Sequence, residues 1–147
     1  MNKFALALFA LAAATATPAF AIDSIPLDQL RPGLWKVERK MEKLDHNPVE
    51  YETRNSEYCA DPKKELGRTL KAMSFLCKTN VTRLADNKYQ AEARCNLGPI
   101  SGNNTTIITF ISPDEYTADV NTIGVKFGEK QHRKEQISAV RTGDCKE

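Results

Sequence analysis

Four cysteines, Cys59, Cys77, Cys95 and Cys145, restrict this chain more than any other feature. An even count in an exported chain reads as a disulfide framework, and four cysteines allow three connectivities. Residues 75–97 discriminate between them. Two runs of roughly alternating character flank Ala85-Asp86-Asn87, which is a hairpin signal. With those three residues as the loop, Leu84 faces Lys88, and Cys77 faces Cys95 on the same side of the ribbon. Directly opposed residues hold their Cβ atoms about 4.5–5.5 Å apart, close to what a disulfide requires. Cys77–Cys95 is therefore the expected bridge, which leaves Cys59–Cys145. There is no Cys-x-x-Cys and no ligand-spaced cluster, so neither redox chemistry nor a zinc site is expected.

Export is read from the first residues. Lys3 supplies a positive start, residues 4–14 are apolar and uncharged, and Ala19-Phe20-Ala21 follows Pro18 as a cleavage site. The apolar run is shorter than the roughly 20 residues that a membrane span needs. Cleavage after residue 21 of 147 leaves 126 residues, a length suited to a single disulfide-stapled β domain over 22–147. The leader carries Lys3 away, so the formal net charge falls from +2 to +1. So small a charge makes no case for nucleic acid, and no later segment is long and apolar enough to cross a membrane. A periplasmic location is expected.

The remainder reads as about seven antiparallel strands and one short helix. Residues 22–30 form a lead-in broken by Pro26, and Arg31-Pro32-Gly33 is a turn. From Leu34 to Met41 the chain alternates, with Trp35, Val37 and Met41 on one face. A second strand over residues 49–59 places Val49, Tyr51, Thr53 and Cys59 on one side. Asp61-Pro62 is a helix start with an N-cap and a first-turn proline. Leu66, Leu70 and Met73 then form one apolar stripe. Strands are expected over 105–111, 116–123 and 135–141, with residues 98–102 a loop and 124–134 a polar connection. The fold class is mainly β (α+β). One curled antiparallel sheet, or an open barrel, carries the helix in its concave face, and a two-sheet sandwich is the alternative. Trp35, Val37, Tyr51, Val81, Tyr89, Ile107 and Ile111 are the core candidates.

Several motifs resemble those of the domain-of-unknown-function 3617 family, small secreted proteins of proteobacteria. Leu30-Arg31-Pro32-Gly33-Leu34-Trp35 is similar to its opening signature, a Pro-Gly-Leu-Trp that enters the first strand. Cys59, Cys77 and Cys95 fall where its cysteines fall, and Arg141-Thr142-Gly143-Asp144-Cys145 resembles its closing motif. After Cys59 the family tends to Cys-Leu-Thr-Pro-Glu, where this chain has Cys59-Ala60-Asp61-Pro62-Lys63. The resemblance brings no activity and no catalytic or ligand residues.

The chemistry available in the sequence is sparse. His46 sits in a turn and His132 in a basic stretch, with no nucleophile elbow near either. Glu50 with Glu52, and Asp114 with Glu115, are carboxylate pairs on exposed positions. No catalytic residue, cofactor site or metal site is assigned. The basic residues Lys126, Lys130, Arg133 and Lys134 are the first candidates for contact with an anionic partner. A non-enzymatic envelope binding module is the expected function, its partner an envelope protein, a lipid headgroup or a glycan. The alternative is a hydrolase that acts on an envelope polymer through carboxylates.

Overall fold

In the computed structural model, which describes residues 21–146, seven strands form one sheet with a single α-helix. The strands are β1 (Gly33–Lys43), β2 (Glu50–Ala60), β3 (Lys78–Ala85), β4 (Lys88–Leu97), β5 (Ile100–Ser112), β6 (Glu115–Lys126) and β7 (Glu129–Gly143), with α1 (Pro62–Leu76) between β2 and β3. The order is β2-β1-β7-β6-β5-β4-β3 and every pairing is antiparallel. Both ends remain open edges, so the sheet is not a closed barrel.

The order dictates the role of α1. The chain leaves β2 at one edge and must restart as β3 at the other. Six gaps of about 4.8 Å would separate these edges by roughly 29 Å in a flat sheet. The 15-residue helix supplies only about 22 Å, so the sheet curls beneath it. Asp61 caps the helix by accepting from the Lys64 amide, and the Cys77 amide closes it by donating to the Met73 carbonyl. The two disulfides bracket this crossing. Cys59–Cys145 precedes it with a Cα separation of 5.6 Å, and Cys77–Cys95 follows it at 4.4 Å.

The hairpin register is the expected one through most of its length: Val81 faces Ala91 and Arg83 faces Tyr89. At the tip a bulge intervenes, so Ala85 rather than Leu84 faces Lys88. Phe75 and Leu76 belong to the end of α1, not to a strand, and both are exposed.

The core lies between α1 and one sheet face. Trp35, Val37, Val81 and Tyr89 are buried there as expected, and Leu66 and Leu70 pack against them. Three other expectations fail. Tyr51 is 72% exposed, Ile111 is exposed, and Ile107 points to the face away from α1, while Ile108 and Phe110 are the buried residues of β5. In β2, Trp35 faces Tyr58, which puts the even-numbered residues on the helix side and turns Tyr51 away. In β5, apolar residues occupy both faces, and pairing of Ile108 with Tyr89 and Ala118 selects the buried parity. The lead-in also belongs to the core. Ile22, Ile25, Leu27 and Leu30 are buried around two 3₁₀ turns packed on α1 and β3.

Most of residues 98–102, expected as a loop, and of 124–134, expected as a polar connection, instead continue β5, β6 and β7 around the two-residue turns Gly98-Pro99 and Phe127-Gly128. Gly102 and Gly124 face each other in this extension. A Cβ on either would collide with the opposite backbone. Glycine therefore permits a close strand approach that polar composition had concealed.

Candidate functional site

Beneath α1 a hollow of about 340 Å³ separates the helix from the sheet. Leu66, Leu70 and Met73 form its roof, and Trp35, Val37, Ile108, Ala118 and Ile137 line the sheet side. The helix therefore roofs the sheet face without filling it. Trp35 is 1% exposed, and its indole Nε1 donates to the Arg31 carbonyl at 3.1 Å. It is a wall and an anchor, not an open stacking platform. Tyr116 packs on it, with ring centroids 5.7 Å apart, and burial pushes the Tyr116 phenol up to about 12.

The floor turns polar further along the strands. Thr106 Oγ1 donates to Asn104 Oδ1 at 2.9 Å, and Asn104 Nδ2 donates to Thr122 Oγ1 at 2.8 Å. Asn104 and Val120 then form a common wall with a second hollow of about 350 Å³, reached between Met41, Ile100, Lys126 and Arg133. Where the two meet, Arg39 Nη1 lies 3.5 Å from Glu135 Oε1, a buried oxygen without a hydrogen-bond partner. Arg39 was legible in the sequence, since it shares parity with Trp35, Val37 and Met41. A charge inside an apolar stripe was the signal.

The four basic candidates do not form one surface. They belong to the β6–β7 hairpin, and strand alternation divides them. Lys126 and Arg133 lie on the α1 side, whereas Lys130 and Lys134 lie on the opposite face. That opposite face has its own groove of about 440 Å³, which includes Tyr51, Asp119, Asn121 and Lys134.

The family-like motifs serve architecture. Arg31 grips Asp114 through two hydrogen bonds, while Arg141 Nε donates to the Pro32 carbonyl and its Nη2 pairs with Asp144. This clasp ties the entry to β1, the β5–β6 turn and the end of β7. The Arg31 guanidinium holds the Asp114 carboxyl below its ordinary range. Asp45 is lowered by the His132 amide and Glu52 by Arg54. At Asp61, burial pushes upward but the Lys64 contacts outweigh it. All four shifts run opposite to what a general acid needs. Glu50 and Glu52 both reach Lys43, and His46 Nδ1 pairs with Glu50 at 2.9 Å. Among the described residues there are no free cysteines, and no cluster of His, Cys, Asp and Glu is placed to hold a metal.

The family described as "Protein of unknown function (DUF3617)" matches residues 30–145. The chain belongs to the DUF3617 family. No curated protein and no solved structure matches it. In this DUF3617 protein the match runs from just before the Arg31–Asp114 clasp to Cys145, and so spans the whole sheet and both disulfides. Among the described residues no helix is long and apolar enough to cross a membrane. The expected leader is residues 1–21, of which residues 1–20 lie outside the described residues.

Proposed function

We propose that this DUF3617 protein is a non-enzymatic binding module of the bacterial periplasm. It is exported by residues 1–21, released after Ala21, and works as a single domain that receives its ligand on the α1 side of the sheet. The hollow beneath α1 carries this reading. At about 340 Å³ it falls within the size range of small-ligand sites, and it is mainly apolar with a few placed polar groups. Two further observations support the assignment. Among the described residues Glu65 is the single carboxylate on its walls, whereas acid–base hydrolysis by carboxylates uses a pair. The two disulfides suit an oxidising compartment.

The test uses the full chain expressed with its own leader in a Gram-negative host. The reading expects a periplasmic product that begins at Ile22, and native mass spectrometry showing a co-purified ligand whose mass is unchanged after prolonged incubation. Soluble fragments released from purified envelope polymer would replace it with the hydrolase reading. Retention of the protein in the cytoplasm would remove the compartment on which it depends.

A further inference from the structure

The two hollows on the α1 side differ in character along one line. Under the helix the walls are mainly aliphatic and aromatic, with Glu65 and Thr69 from α1 and Arg39 from β1 among them, and the Thr106–Asn104–Thr122 ladder follows. Beyond it come Lys126 and Arg133. Along β6, Ala118 and Lys126 are eight residues apart, about 26 Å at the usual rise of a strand. Among the described residues neither Lys126 nor Arg133 forms an ion pair, and Arg133 Nη2 donates only to the Gln131 side chain. Glu129 faces Lys126 in the ladder at the hairpin end but does not pair with it. Glu135, a carboxylate on the wall of the second hollow, is engaged with Arg39.

From this gradient we infer that the groove takes a single-chain amphiphile with an anionic headgroup. Its hydrocarbon tail lies between α1 and the sheet, and its headgroup meets Lys126 and Arg133. The inference rests on the binding reading above and names its ligand class. An apolar tail gains by leaving water in proportion to the area covered. A cation without a partner gains most from a charged headgroup. The combination selects fatty-acid-like ligands over neutral lipids of equal length, and over polar glycans.

Displacement of a fluorescent fatty-acid probe from the delipidated mature protein tests this, with palmitate and hexadecanol as competitors. Palmitate is expected to bind more tightly than hexadecanol. K126A/R133A should weaken palmitate by about tenfold, the scale of one lost charge-assisted contact, and leave hexadecanol nearly unchanged. Val120→Trp, which fills the shared wall, should weaken both. The control K130A/K134A, on the opposite face, should change neither. All four cations are exposed, so those variants keep their fold and the test survives even if Val120→Trp does not fold. Equal affinity for palmitate and hexadecanol would overturn the inference. So would an equal loss in K130A/K134A, or association with phosphatidylglycerol vesicles but not with monomeric palmitate. Hydrolysis of a palmitoyl ester would instead defeat the non-enzymatic reading and leave the ligand class intact. A co-purified ligand of another chemistry would defeat the ligand class alone.

Discussion

Gly33 shows how much one residue of the opening motif carries. Its φ is +155°, and a Cβ there would run into the Arg141 side chain and the Gly143 carbonyl. Gly33→Ala should therefore destabilise the protein by about 2 kcal/mol or more, read as a lowered midpoint in urea at unchanged slope. Asp114, on the same clasp, has a charge-state signature. Its folded-state pKa is depressed by Arg31, so the native protein binds fewer protons there than the unfolded chain. The stability it contributes is complete above the unfolded value near pH 4, and is lost as pH falls through the lower folded value. Asp114→Asn should be less stable at neutral pH, and its loss of stability below pH 4 should be shallower than that of the wild type. Identical acid slopes would show that the clasp does not contribute.

Helix α1 is weakened by its own sequence at one place. Gly67 lies in its interior, and a Cβ there would meet only Leu27 Cδ1, at an ordinary contact distance of 3.8 Å. Gly67→Ala should stabilise the fold by about 0.5–1 kcal/mol, measured by thermal or chemical unfolding. The disulfides that bracket the helix differ in the loop that each closes. Their sequence separations are 18 for Cys77–Cys95 and 86 for Cys59–Cys145. Paired Cys→Ser replacements should cost about 3 kcal/mol for the first and about 4.5 kcal/mol for the second on the chain-entropy account. An inverted order in denaturant titrations would mean that residual structure in the unfolded chain outweighs loop length. The longer bridge also ties edge strand β2 to the segment after β7, the two strands that flank β1.

At the scale of the molecule, the sheet is a ribbon whose two edges are joined across one face by α1, with residues 22–30 closing the side of the core near β3. Ile25 is 5% exposed in that segment. Ile25→Ala should cost about 2–4 kcal/mol, as for other buried large-to-small changes. Unfolding within a few tenths of a kcal/mol of the wild type would show that the segment is dispensable. Among the described residues nothing covers one sheet face, and the other is roofed only in part. The helix covers the end of the sheet that contains Trp35 and Ala139, while β5, β6 and β7 run beyond it. The candidate groove is the part of the roofed face that α1 does not reach or fill.

What the sequence alone determined is local chemistry. The Asp86-Asn87 turn sets the neighbouring register, and that register brings Cys77 to Cys95. Asp61-Pro62 starts the helix, and its stripe of Leu66, Leu70 and Met73 has one face to bury. Each follows from residues a few positions apart. The side of β2 and β5 that faces the core was not legible in the sequence, and the expectation that Tyr51, Ile107 and Ile111 face it fails, because an edge strand or a two-sided apolar run takes its parity from its neighbours. Polar stretches such as residues 100–104 and 129–134 carry no strand signal of their own. They become strands because adjoining ladders satisfy their backbone groups. The division of Lys126 and Arg133 from Lys130 and Lys134 follows from that pairing. So do the hollow under α1 and the burial of residues 22–30, since they depend on a helix that must cross from one edge of the sheet to the other.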